Sequence, residues 1–316
     1  MDLKLNEISD NVYYISDATN VGIICEKTYS HLNFYLVDTC GSPDRASDIL
    51  EILETLAEKF KCKWKLKAIF VTHSHADHIS CCAFLKEKTQ CQIFCTQEER
   101  GNLEKQTYEQ AVICGGWPLP ELQAPFYQAR PVLDAQLIKP ESSLLLCDGT
   151  KITFIALPGH HFGMTGVLVK TVSGKEVFFA ADSIFDRDRM KKYWIPFLLD
   201  VGSFKMTLRR IVTLNADFLL PSHGTLLKNH EIESTAELNR YAVLTTEKDI
   251  CTILKQPHTQ EELLKIIFEQ NKIPQRLGQY VLIGCTIRSY VSYLYRCGKI
   301  ACQMKDNLLY WQTINQ

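Results

Sequence analysis

The sequence predicts an α/β protein, and three observations carry that expectation. Apolar runs of strand length alternate along the chain with amphipathic segments of helical period. One such run, residues 68–72, feeds directly into a cluster of histidines around an aspartate. The composition is globular, with 46% hydrophobic and 22% charged residues over 316 positions. That supports a sizeable core and excludes wholesale disorder.

The elements follow in order. Residues 12–15, 21–25 and 33–37 read as strands, rich in β-branched and aromatic side chains. Ser42-Pro43-Asp44 is expected to open a helix, with Ser as N-cap, Pro at the first helical position and Asp facing the dipole. Ile49, Leu50, Ile52, Leu53 and Leu56 supply its apolar stripe. Residues 61–67, with a lysine at every second position, read as a solvated loop leading into the strand at 68–72. A helix is expected to start within residues 79–85 and a strand to cover 91–95. Residues 105–145 hold five prolines and several aromatic residues. They read as a long loop, either a lid or substrate-binding insertion or a plain surface excursion. Strands resume at 151–157, 166–171 and 176–180, a helix at 203–214, a strand at 217–220 and a long helix at 231–253. Beyond Gln256-Pro257, Thr259 is expected to cap a helix over 260–270. A second helix over 279–296 and a hairpin over 299–312 follow. That order suggests a winged-helix-like module, dividing the chain into 1–254 and 255–316.

Net charge is −1, which gives no reason to expect a partner bound through bulk charge. The tail carries eight Lys or Arg against four Asp or Glu, a mild asymmetry. No run of eighteen uncharged apolar residues occurs, so no membrane-spanning helix is expected. The first residues lack the apolar stretch of a signal peptide, and the expectation is a cytoplasmic protein. The 13 cysteines form no CxxC pair and read as reduced, buried thiols, as at Cys25, Cys147 and Cys285.

The strongest signal is Thr72-His73-Ser74-His75-Ala76-Asp77-His78. Imidazole nitrogens and a carboxylate suit zinc or iron. On a tight loop after a strand, His73 and His75 can face one metal while Asp77 and His78 turn toward a second. Three of the nine histidines fall in six positions, a density that scattered core or surface histidines do not produce.

HxHxDH at the end of an apolar strand resembles the metallo-β-lactamase superfamily, whose remaining motifs follow in order over residues 12–254. Asp38 in Val37-Asp38-Thr39 matches the first motif. His160 in Pro158-Gly159-His160-His161-Phe162-Gly163 matches the third, Asp182 the fourth and His223 in Ser222-His223-Gly224 the fifth. The resemblance implies an αββα sandwich with His73, His75 and His160 on a first metal. It implies Asp77, His78 and His223 on a second, Asp182 bridging and Asp38 orienting a ligand from behind. His161 stands where the family has Thr or Ser, and either faces substrate or packs. Ile79-Ser80-Cys81-Cys82 replaces glycines usual in relatives. His31, His230 and His258 match no motif and read as surface residues. Residues 193–197, with Tyr193, Trp194 and Phe197, form either an apolar substrate pocket or part of the core.

The function this implies is a hydrolase with Asp77 and Asp182 as catalytic residues. It uses two divalent metals, zinc first with iron or manganese as alternatives, and a metal-bound hydroxide. A small ester, thioester or lactone is the expected substrate. The first 254 residues resemble glyoxalase-II-like proteins. With its tail the whole chain resembles lactamase-like endoribonucleases of the β-lactamase-like-protein-2 type, so RNA is the alternative partner and a homodimer the alternative assembly. Persulfide dioxygenases with one iron share HxHxDH and form a further alternative. Flavo-diiron relatives carry Glu where His75 stands. A binding protein without activity is marked by lost ligands, and all seven positions are filled.

Overall fold

The computed structural model describes residues 3–192 and 194–314. A first sheet contains β1 (Lys4–Ser9), β2 (Val12–Ser16), β3 (Val21–Lys27), β4 (His31–Val37), β5 (Lys63–Phe70), β6 (Gln92–Cys95) and β7 (Gln136–Leu137), in that order. β1 to β4 meander antiparallel, and β4 to β7 run parallel. The parallel strands are linked by crossovers that carry α1 (Ala46–Lys59), α2 (Ala76–Ile79), α3 (Cys82–Thr89), α4 (Gln97–Glu104) and α5 (Thr107–Cys114). The second sheet also follows chain order: β8 (Ser143–Leu145), β9 (Lys151–Ala156), β10 (Thr165–Lys170), β11 (Glu176–Ala181), β12 (Phe218–Pro221) and β13 (Leu227–Lys228). α6 (Arg187–Lys192) and α7 (Val201–Leu214) join its parallel pair β11 and β12, and α8 (Asn229–Ile253) follows β13. The tail holds β14 (His258–Thr259), α9 (Gln260–Gln270), α10 (Leu277–Arg296), β15 (Ile300–Lys305) and β16 (Leu308–Thr313), with its three strands in one small sheet.

Three apolar layers make this an αββα sandwich. Ile24, Val37 and Phe70 from the first sheet meet Phe154, Val167 and Phe179 from the second. On the first sheet's outer face, Ile23, Phe34 and Ile69 pack on Ile49, Leu53 and Leu56 of α1. On the second sheet's outer face, Phe178 and Leu219 pack on Phe204 and Leu208 of α7 and Val243 of α8. This third layer continues without a break into the tail through Leu264, Ile287 and Tyr290. Polar contacts also cross residue 254. Buried Glu247 of α8 accepts from Lys205 of α7 at 2.6 Å and from Lys299 of the tail at 3.0 Å. Thr313 N–H donates to Leu254 C=O at 2.8 Å.

Several local expectations are corrected. Ser42 makes no side-chain cap; Pro43–Arg45 is a 3₁₀ turn and the α-helix begins at Ala46. Residues 63–67 belong to β5: Lys63, Lys65 and Lys67 lie on its exposed face while Leu66 is buried, so the lysine alternation is the period of a strand. The helix after the histidine cluster is split in two, α2 and α3. Residues 105–145 contain α5, a 3₁₀ turn (Pro120–Gln123), β7 and β8 rather than one long loop. Cys147 is exposed and Cys285 only half-buried. The apolar run before Cys147 lies on edge strand β8, where Leu144 and Leu145 are exposed too. The N-terminal segment supplies β1, whose apolar positions are too few to announce it. Thr259 does cap α9, through a capping box with Glu262. No helix among the described residues is long and apolar enough to cross a membrane.

Ile287 of α10 is fully buried in the layer shared by the two parts of the chain. Ile287→Ala is therefore expected to lower the stability of the whole chain by about 2–5 kcal/mol, measured by urea unfolding followed by circular dichroism.

Candidate metal centre

The centre forms where chain segments leave the carboxyl ends of β4, β5, β11 and β12 and the turn between β9 and β10, the usual ligand-binding edge of an α/β sheet. After β5 the chain runs through His73, Ser74 and His75 into the single turn of α2, which carries Asp77 and His78. Asp38, with φ +57°, sits behind this loop. It accepts from Thr72 N–H at 2.7 Å and Thr72 Oγ at 2.6 Å, and pairs with His78 Nδ1 at 2.7 Å. Gly159 sets the next segment: its φ is +138° and a Cβ would lie 2.5 Å from the Phe204 backbone, so only glycine lets the turn close onto α7. His160 follows directly. Asp182 follows β11 by one residue. Asn20 accepts this role for the last segment, donating from Nδ2 to the carbonyls of Pro221 and Gly224, which flank His223.

Five imidazoles converge, each with one ring nitrogen engaged on the outside and the other facing inward. His73 Nδ1 meets Thr72 Oγ at 3.1 Å, His75 Nε2 meets Glu109 at 2.7 Å and His78 Nδ1 meets Asp38. His160 Nδ1 meets the carbonyl of Phe197 at 2.8 Å, and His223 Nδ1 meets the carbonyl of Ala18 at 2.7 Å. Inward, His75 Nδ1 lies 2.9 Å from His73 Nε2 and 3.0 Å from His160 Nε2. His223 Nε2 lies 3.2 Å from Asp77 and 3.3 Å from Asp182, and Asp182 reaches His78 at 3.5 Å and His160 at 3.4 Å. The donor atoms thus group as His73, His75 and His160; as Asp77, His78 and His223; and as His73, His78 and Asp182.

This set fits divalent metal. Buried His78 Nε2 and Asp182 Oδ1 have no hydrogen-bond partner, a costly state that a shared cation relieves. Electrostatics divides the cluster. Burial, then neighbouring imidazoles, hold His73 well below its ordinary range, and burial pulls His160 down to about 3 against the attraction of Asp182. In the other half burial also opposes charge, but Asp77, Asp182 and Asp38 outweigh it and raise His78 to about 10. His223 rises for the same reason through Asp182 and Asp77. The two carboxylates are held low by His78 and His223 despite burial. Ligation needs the neutral imidazole, so metal binding at His78 and His223 competes with protons.

All seven residues singled out in the sequence are brought together, and His160 rather than His161 joins the inward donors. His161 is buried and meets Glu99 at 2.5 Å; with Glu109 it lies on the outer side of the His75 ring. Glu99 is fully buried and accepts also from Ser74 N–H at 2.9 Å, Ser74 Oγ at 2.6 Å and Gly163 N–H at 2.9 Å. It ties the first histidine loop to the His160 turn. Gln106 donates to Ser74 C=O at 3.1 Å. Glu99, Gln106 and Glu109 carry little signal in the sequence because α4 is polar throughout and α5 buries its polar residues Glu109 and Gln110. The one available signal was Leu103, buried between Glu99 and Gln106 at helical spacing. Of residues 193–197, Tyr193 lies outside the described residues, Trp194 packs on the core, and Ile195 and Phe197 line a cavity. His31 and His258 are half-buried and His230 is exposed.

The metallo-β-lactamase superfamily domain profile matches residues 18–223, well over half of the chain, so this chain belongs to the metallo-β-lactamase superfamily. Among solved structures it is similar to a β-lactamase domain protein from Burkholderia ambifaria, with TM-score 0.77, 13% identity, and 98% and 94% of the two chains covered. It is also similar to a metallo-β-lactamase family protein from Thermus thermophilus, with TM-score 0.69, 17% identity and 98% of each chain covered. A subclass B3 metallo-β-lactamase of Bradyrhizobium japonicum gives TM-score 0.57 at 21% identity, covering 79% of this chain and 94% of its own. These likenesses concern the fold. The first two extend through the tail. No curated protein matches the sequence.

A carboxylate behind a ligand histidine fixes its tautomer and typically controls metal affinity. Asp38→Ala and Glu109→Ala are each expected to weaken zinc retention by about 10–100-fold, measured by chelator competition. Glu109→Gln should lose less, because its amide oxygen still accepts from His75 Nε2–H.

Proposed function

We propose that this chain is a dinuclear metal-dependent hydrolase of small carboxylic esters, thioesters or lactones. His73, His75 and His160 would hold one cation, Asp77, His78 and His223 would hold the second, and Asp182 would serve both. Zinc suits this nitrogen and carboxylate set best. The observation that carries the reading is the convergence of seven donor side chains, with the outer nitrogen of each of the five imidazoles already engaged. When bound, such a metal pair activates water for attack on a carbonyl and stabilises the charge that develops. The protein's own part is to hold that geometry and to present Asp77 and Asp182 at the cavity wall, where they would orient an attacking water.

The cavity favours a small neutral substrate over RNA. Among the described residues its wall contains no Lys or Arg, and a phosphodiester backbone is held by cations. Two basic residues of the tail are also engaged elsewhere: Lys299 by Glu247, and Arg296 by Asp200 at 3.5 Å. A complete second donor trio supports two metals over the single iron of a persulfide dioxygenase. We read residues 255–316 as a winged-helix-like module that contributes α10 to the cavity and supplies no metal ligand.

Elemental analysis of zinc-loaded protein should give two metals per chain, falling to about one in His223→Ala. Asp182→Asn should lower kcat for ester or thioester hydrolysis by about 100-fold or more with an unchanged circular dichroism spectrum. One metal per chain, unaffected by His223→Ala, contradicts the dinuclear reading.

A further inference from the structure

The cavity beside the centre has two walls that lie outside the residues holding the metals. One wall comes from the insertion, through Ile113 of α5. The other comes from the tail, through Leu282 and Ile283 of α10. Phe185, Ile195 and Phe197 complete an apolar space of about 260 Å³. The walls meet at the rim. Gln110 of α5 donates to the Tyr127 carbonyl at 2.8 Å. The Tyr127 hydroxyl lies so close to Gly278, at the start of α10, that a Cβ there would sit 2.1 Å from it. A side chain at 278 would push the Tyr127 hydroxyl away from α10.

The charge of this space is distinctive. Apart from the five proposed ligands that line it, Glu109 is the single acidic or basic residue on the wall among the described residues, and Gln110, Tyr127, Gln279 and Thr286 are its neutral polar groups. An anionic substituent placed beyond the metals would face Glu109 with no cation to pair with and would lose its water. An apolar substituent loses nothing polar and gains the burial of its surface.

We infer that this cavity is an acyl-binding site, and that the substrate is an ester or thioester whose acyl group is uncharged and apolar. The inference rests on the hydrolase reading above and adds the substrate class. The reaction is a plain hydrolysis: water adds its oxygen to the acyl carbon, the bond from that carbon to oxygen or sulfur breaks, and the leaving group departs with a proton. Nothing is oxidised or reduced. Ile113 and Ile283, one from each wall, are the residues that set acyl length.

The test uses full-length, zinc-loaded protein and p-nitrophenyl esters of acetic, butyric and hexanoic acids, with the succinic half-ester as the anionic counterpart of butyrate. We expect kcat/KM to rise from acetyl to hexanoyl, and butyryl to exceed succinyl by at least about 10-fold, the effect of one lost apolar or unpaired polar contact. Ile283→Trp should lower the hexanoyl-to-acetyl ratio about 10-fold while the protein keeps its zinc. Ile113→Phe reads the same ratio should Ile283→Trp fail to fold. Equal or faster succinyl turnover, or an unchanged ratio in both variants, overturns the inference and leaves the hydrolase reading standing. If no ester is cleaved, the hydrolase reading fails, and calorimetry with alkyl methyl ketones decides the acyl site. Tighter binding with each added methylene, lost when the chain ends in a carboxylate, supports it; no dependence on length overturns it.

Discussion

The structure depends on one constraint: every imidazole of the centre has its outer nitrogen engaged by an acceptor that the fold supplies. Asp38, Glu109, Thr72 and the carbonyls of Phe197 and Ala18 come from five separate places in the chain. An imidazole with one nitrogen committed has a single choice for the other, so its tautomer and direction are settled before any ion arrives. The cost is a concentration of lone pairs and carboxylate charge in a buried space. The sandwich offsets that cost: the strands ending at Val37, Phe70, Ala181 and Pro221 are buried over their last three residues, and they hold the loops that leave them.

The segments outside the common sandwich carry the individuality of this chain. α4 and α5 brace the first histidine loop through Glu99, Gln106 and Glu109, and the same insertion forms one cavity wall. The tail is bound to the second sheet's helices by a continuous apolar layer and by the pair of lysines on Glu247. That attachment is what allows α10 to serve as the opposite wall. The metal chemistry is common to a superfamily; the shape and charge of the space beside it belong to these two additions.

Much of the sandwich and all seven inward donors were legible from the sequence, for physical reasons that differ. The HxHxDH run stands out because so many metal-binding side chains in six positions have no structural use. His160, Asp182 and His223 were found through resemblance alone, since a lone histidine or aspartate carries no local mark. The braces were invisible: a buried Glu99 looks like any helix-surface glutamate until its partners, 25 and 62 residues away, are in place. The lysines of β5 misled because a charged strand face and a solvated loop share a composition and differ only in period. Within residues 105–145 the prolines suggest loop throughout, and α5, a helix of eight residues, lies ahead of the first of them, Pro118.

The central claim is that the engaged outer nitrogens decide which nitrogen of each histidine binds metal. Anomalous diffraction at the zinc absorption edge from crystals of the zinc-loaded protein tests it most directly. The account predicts two zinc peaks in one cavity, His75 bound through Nδ1 and His73, His78, His160 and His223 through Nε2. A single peak, or His75 bound through Nε2 with Glu109 turned away, would contradict it.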